Sequence, residues 1–397
     1  MTALVTCGHT RAGLAAVRAL GRGRCAVAVA GPARPALALW SRYATSTLLV
    51  PDAASEARCF AGVVADEAAG RRCHVILTAT DSALWALSRW RDQLPEGARR
   101  VMPPHDAVAR SLDRTALRDR ARALGIPCSD VLRVEGAEGI EPALRKLARL
   151  GQMPVIVRPL VPWVEREDGS RRLAESIPVQ SLAEVRRLLY AREELARAGC
   201  LLEPRPEGQW LAYGAVCDDG RVLCEIFQER LRERGDLSGV STLARTFAPD
   251  EEMRILSCAL LESLSWQGPA LVEMFRGHDG VLRLVNVIGR LWGSLQLSIN
   301  AGINVPMLCE ALARGEGHPR VVAVAEAGHV WRWLVGDLEV MAKRAGGLVR
   351  RLEGAGVFRR RMAAVRQLLN PDHLLHARSD VFDLDDPLPF VLELARR

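Results

Sequence analysis

The sequence has 397 residues, 49% hydrophobic and 25% charged, which supplies core for two or three domains and excludes a largely disordered chain. It contains no uncharged apolar run near the roughly 18 residues a membrane helix needs, and the short apolar start at Met1–Gly8 breaks too soon for a secretory signal, so a cytoplasmic protein is expected. The net charge is +7, yet Lys146 and Lys343 are the only lysines. The many arginines are dispersed without the aromatic-basic interleaving of an RNA-binding module, so nucleic acid is not expected as a partner.

In chain order, Ala3–Thr6 reads as a short buried strand, Cys7–Gly13 as a turn, Leu14–Leu20 as a helix and Cys25–Ala30 as a second strand. A third strand is expected at Cys73–Thr78, with helix signals after Asp81 and Ser82. Strands alternating with helices imply a parallel sheet covered on both faces, with ligands at the carboxyl ends of its strands. The Gly8 to Gly13 turn faces that end, where helix amides could hold an anion. It is not a G-x-G-x-x-G loop and no acidic ribose partner follows the second strand, so a plain tight turn is the favoured reading.

Met102–His105 breaks the pattern. A helix is expected from near Ser111 to Leu124, stopped by Gly125-Ile126-Pro127, followed by a strand at Pro154–Pro159. The charged stretch Glu165–Arg172 has the composition of a hairpin tip that would suit a mobile lid. Trp210–Cys217 and Arg221–Phe227 flank Asp218-Asp219-Gly220 and read as a hairpin; Ala270–Phe275 and Val281–Val287 flank His278-Asp279-Gly280 and read as another. Beyond Pro319 the chain reads as helical and basic, with Trp331, Trp333 and Arg359–Arg361 on an amphipathic, solvated helix. The expected division is 1–105, 106–200, 201–318 and 319–397.

Several chemistries are excluded by their missing motifs. The ten cysteines stand singly among aliphatic neighbours, as buried thiols of a reducing compartment do, with no C-x-x-C for zinc or redox work. No H-x-x-E-H, no G-x-S-x-G and no G-x-x-x-x-G-K-[ST] is present.

The order of the pieces resembles the ATP-grasp superfamily, and within it the carboxylate–amine and thiol ligases. Ser111-Leu-Asp-Arg114 with Gly125-Ile-Pro127 is similar to a D-K…G-I-P segment, and Val155-Ile-Val-Arg158-Pro159 to V-V-V-K-P. Glu203–Gly208 resembles a divergent hinge and glycine turn. Glu229-Arg-Leu-Arg-Glu233 with Gly239–Leu243 resembles R-L-R-E…G-G-V-S-T-L. Leu271-Val-Glu273 and Leu284–Ser294 resemble V-E-F and L-M-E-I-N-P-R-x-W-G-S, and the Asp385-Asp-Pro-Leu-Pro389 tail is also similar. The implied fold is a Rossmann-like parallel α/β domain, then two α+β lobes enclosing a nucleotide cleft, then a helical tail.

The resemblance implies ATP as cofactor and small carboxylate and amine substrates joined through an acyl phosphate. It places Arg114, Arg158 and Glu203 at the nucleotide, Arg290 at the transferring phosphate or substrate carboxylate, and Glu273 and Asn286 at Mg²⁺. Phosphoryl transfer depends chiefly on positioning and charge neutralisation. Arginine replaces both expected lysines and still binds phosphate. The metal positions depart further: Asn286 replaces a carboxylate and Ile288 replaces an asparagine, whereas magnesium prefers hard charged oxygens. An active ADP-forming ligase is the first reading, and a nucleotide-binding pseudo-ligase acting as a regulatory or partner subunit is the alternative; a homodimer and a protein partner both remain open. No membrane contact is expected.

Overall fold

The computed structural model describes residues 1–32, 36–165, 171–205, 207–234, 240–316, 322–340 and 377–395. The expected lid tip at 166–170, Gly239 and the basic stretch with Arg359–Arg361 lie outside them.

The chain opens with β1 (Thr2–Val5), α1 (Arg11–Arg22), β2 (Ala26–Gly31), β3 (Ser46–Leu49), α2 (Ala57–Gly70), β4 (Val75–Leu77) and α3 (Asp81–Arg89). The strands form a parallel sheet in the order β3-β2-β1-β4. Ala, Val and Leu in β1, β2 and β4 are buried, as strands covered on both faces require. The edge strand β3 is an addition to the three expected from sequence. Its residues alternate between half-buried and exposed, so it lacks the continuous apolar run that marks its neighbours. Thr10 caps α1, its hydroxyl accepting from the Gly13 amide at 3.0 Å, and Thr80 caps α3 by accepting from Ala83 at 3.3 Å.

The short α4 (Glu96–Arg100) leads to α5 (His105–Leu112) and α6 (Arg114–Ala123). The single helix expected from Ser111 is thus two. Asp113 is extended and caps α6, its carboxylate accepting from Thr115 and Ala116 amides at 2.8 and 3.0 Å. Next come β5 (Leu132–Val134), α7 (Ile140–Leu150), β6 (Val155–Pro159), the β7 and β8 hairpin (Trp163–Glu165, Arg171–Leu173), β9 (Ile177–Val179), α8 (Leu182–Ala191), α9 (Glu193–Ala198) and β10 (Cys200–Pro204). An antiparallel sheet in the order β5-β10-β6-β9 packs on α7 and α8 over a core of its own, including Leu144, Leu147, Val157, Leu189 and Leu202.

The largest sheet is built from β11 (Gly208–Asp218), β12 (Arg221–Glu233), β13 (Ser241–Thr246), β14 (Gly268–Gly277), β15 (Leu282–Ile288), β16 (Ala323–Val324), β17 (Val330–Arg332) and β18 (Arg378–Ser379). Its order is β15-β14-β11-β12-β13-β17-β18, with β16 paired to β12. Both expected hairpins form. Asp219 and Gly220 have φ of 48° and 79°, the left-handed pair that a tight hairpin turn needs. One continuous core joins this sheet to the first one, through residues such as Tyr213, Val272, Trp266, Leu84 and Leu4. Trp331 lies in strand β17 and, with Trp333, is buried. The amphipathic helix expected there is therefore corrected: these rings pack inward instead of bordering a solvated basic face.

The tail returns to α1. Arg18, 1% exposed, donates to the Asp386 carboxylate at 2.9 Å and to the carbonyls of Asp380, Val381 and Asp386. The described stretch ends in the helix Leu388–Ala395. All ten cysteines are free and seven are buried. No described helix is long and apolar enough to cross a membrane.

Candidate functional site

Strand alternation builds the site. Glu273 on β14 pairs across the backbone with Asn286 on β15 and Ala212 on β11, and Ala212 in turn pairs with Gln228 on β12. These positions share one face of the sheet. Two residues along each strand, Trp210, Arg230, Leu271 and Ile288 join them on that face. The connection after β15 folds over it, with the Ser294 hydroxyl donating to Gln228 Oε1 at 3.0 Å. Gly214 lets the Trp292 ring approach, since a Cβ there would meet the ring at 3.1 Å. The result is a cleft of about 230 Å³ lined by Glu273, Ile288 and Arg290, with Arg11, Arg230 and Trp210 around them.

Each charged group of the cleft is tied. Arg230 donates from Nη2 to Glu273 Oε1 at 2.8 Å and from Nε to Ser241 at 2.9 Å, and its guanidinium lies 4.9 Å from the Trp210 ring centre. Arg290 donates to both oxygens of Asp81 at 2.8 and 3.4 Å and to the Leu291 carbonyl at 3.0 Å. Asp81 stands in the first turn of α3, so Arg290 joins the large sheet to the N-terminal sheet. Arg11, at the start of α1, bonds Asp380 at 2.7 Å and stacks 4.0 Å from the Trp333 ring centre.

A second cavity of about 460 Å³ adjoins the first and shares Arg11, Arg290 and Gly293 with it. His9 and Thr10, from the turn before α1, also line it. That turn is held by the Gly8 amide on Ala30 O at 2.8 Å and the Thr10 amide on Cys7 O at 2.9 Å. Its place at the carboxyl end of β1 agrees with the location expected for ligands of parallel sheets.

Arg158 on β6 and Glu203 on β10 of the smaller antiparallel sheet form a separate cluster with Arg114 at the start of α6. Glu203 is 1% exposed. One of its oxygens accepts from Arg118 at 2.6 Å and the other from Arg158 Nε. Burial works to raise the Glu203 carboxyl, but Arg158 and Arg118 outweigh it and hold it below its ordinary value. Arg114 begins α6 and donates to the Pro159 carbonyl at 3.0 Å. Burial, reinforced by neighbouring Arg158, lowers its guanidinium to about 10, while Glu203 and Asp81 oppose the shift.

Six residues were expected at the site from sequence. Glu273 and Arg290 line one cleft, with Asn286 on the strand beside Glu273. Arg114, Arg158 and Glu203 gather around the smaller antiparallel sheet and do not line that cleft. Sequence reasoning missed Arg230, Arg11, Trp210, Asp81 and Arg118. Arg230 lay inside the quoted Glu229–Glu233 string, but its face is fixed by a register across three strands.

A magnesium site does not fit these residues. Of the three expected ligand positions, Glu273 is bonded to Arg230, Asn286 is a neutral amide and Ile288 offers no donor. Among the described residues, no group of three or more His, Cys, Asp or Glu side chains is placed to hold a metal ion. The Arg230 guanidinium, bonded to Glu273 at 2.8 Å, repels a cation at that carboxylate.

No family model matches the chain, and no curated protein does. Solved structures do match. N5-carboxyaminoimidazole synthetase from Staphylococcus aureus is 13% identical, with 83% of this chain and 80% of that one covered and a TM-score of 0.62. The biotin carboxylase–ATP complex from Campylobacter jejuni is 14% identical over 83% and 74%, with a TM-score of 0.63. L-amino acid ligase from Bacillus licheniformis is 16% identical over 80% and 76%, with a TM-score of 0.58. The neighbours are ATP-grasp ligases, and this chain has the ATP-grasp fold.

Proposed function

We propose that this chain binds a nucleoside phosphate between its two antiparallel sheets and acts as a pseudo-ligase, a regulatory or partner subunit with the ligase scaffold but without its phosphoryl transfer. The observation that carries this reading is the state of the metal positions: a single carboxylate, Glu273, held at 2.8 Å by Arg230, beside Asn286 and Ile288. Arg158 on the smaller sheet and Arg114 at the start of α6 are assigned to the phosphates, with Glu203 fixing the orientation of Arg158. Arg290 is assigned to an anionic group at the junction of the two cavities. The division into a 1–105 domain, lobes at 106–200 and 201–318, and a tail from 319 belongs to the same proposal.

An ADP-forming carboxylate–amine ligase is the second reading, supported by fold likeness to ligases of that reaction class and by the second cavity, which has room for an acceptor. Calorimetric titration with ATP, followed by an assay of ADP release over a panel of carboxylates and amines, separates the two. The proposal expects binding without ADP release. ADP release that needs both a carboxylate and an amine would establish the ligase, and absence of nucleotide binding would remove both readings.

A further inference from the structure

In the cleft, the partner of Glu273 is a guanidinium from its own chain. Arg230 is 12% exposed at its side chain and Glu273 16%, so their attraction is only partly screened. The face opposite that bond matters more. Arg230 spends Nε on Ser241 and Nη2 on Glu273. Its Nη1 lies 3.6 Å from Glu233 and has no hydrogen-bond partner. Trp292 Nε1, from a fully buried ring that lines the same cleft, also has none. Both orphaned groups are donors. A buried donor without an acceptor is costly, and its natural complement is an anionic oxygen.

We infer that Arg230 is the built-in cation of this cleft: it neutralises Glu273 and meets the acidic oxygens of the ligand where a divalent metal would otherwise stand. The ligand class is then a metal-free nucleoside phosphate, with its negative charge met by guanidinium groups. A guanidinium is planar, always charged and suited to two phosphate oxygens at once. Asn286 and Ile288 add no charge beside Glu273, and Arg230 faces Glu233 as well as Glu273. The inference rests on the nucleotide reading above.

The test is calorimetry of the intact protein with ADP, once in EDTA and once in excess Mg²⁺. The expected result is binding in EDTA at least as tight as in Mg²⁺. Arg230→Gln should weaken binding in EDTA by about tenfold or more, with Arg230→Lys recovering part of it. A companion measurement follows Mn²⁺ by electron paramagnetic resonance: no uptake by the natural sequence, and uptake by Arg230→Ala combined with Asn286→Glu and Ile288→Asn. Binding of ADP that requires Mg²⁺ overturns the built-in cation and leaves the nucleotide reading standing. So does a folded Arg230→Gln protein with undiminished affinity in EDTA. Failure of ADP to bind under either condition overturns both.

Discussion

Glu203 lies between Arg118 and Arg158 with both carboxylate oxygens bonded. Replacing it by Gln leaves two arginines facing a neutral amide in a buried place. Loss of one partner of such a network costs about 3–5 kcal/mol, so Glu203→Gln should lower the thermal midpoint markedly, measurable by circular dichroism. The pH dependence follows from the lowered Glu203 carboxyl. Folding favours its ionised form, so its contribution is complete above its ordinary value of 4.5 and is lost as pH falls through the lower folded-state value. The natural protein should therefore lose stability faster than Glu203→Gln on acidification below about 4.5; parallel acid-unfolding curves would contradict this.

The same residue shows what a sequence can and cannot reveal. Glu203, Glu273 and Arg290 stood out through the strings around them. Arg118 and Asp81 did not, because their partners lie far along the chain at Glu203 and Arg290. Buried ion pairs between distant segments have no local signature. Arg230 is the sharper case: its type and neighbourhood were visible, but its bond to Glu273 depends on the order β14-β11-β12.

At the scale of elements, apolar period and turn chemistry gave most of the architecture. The two hairpins of the large sheet were legible from alternating strands around Asp-Asp-Gly and His-Asp-Gly. β3 escaped because an edge strand with half of its residues exposed has no strong hydrophobic signal. The break at Asp113 escaped because Ser111 to Leu124 keeps a helical apolar spacing across it. That break has a functional side, since Asp113 caps the helix that begins with Arg114. Asp113→Ala removes acceptors for the Thr115 and Ala116 amides and should cost about 1 kcal/mol. It should also loosen Arg114 and so weaken nucleotide binding in calorimetry beyond the change seen on substituting an exposed helix residue such as Arg122. Equal effects of the two substitutions would separate Arg114 from the phosphates.

At the scale of the molecule, charge is organised to join parts as well as to receive a ligand. Arg18 is buried against the tail through Asp386 and three carbonyls. Arg290 connects the large sheet to α3 through Asp81. Arg11 touches both cavities while bonded to Asp380. The tail, the parallel sheet and the large sheet therefore meet around the two cavities. Arg158 on the smaller antiparallel sheet, which has a separate core, and Arg114 at the start of α6 line neither cavity. A ligand spanning these groups would be held by guanidinium from both lobes, with no step that depends on a metal the residues do not fit.

A structure of the protein crystallised with ADP in EDTA tests that arrangement most directly. The account predicts the phosphates between the two antiparallel sheets, with at least one oxygen in bonding reach of Arg114 or Arg158 and another in reach of Arg230. ADP bound elsewhere, or bound here only through a metal on Glu273, would contradict it.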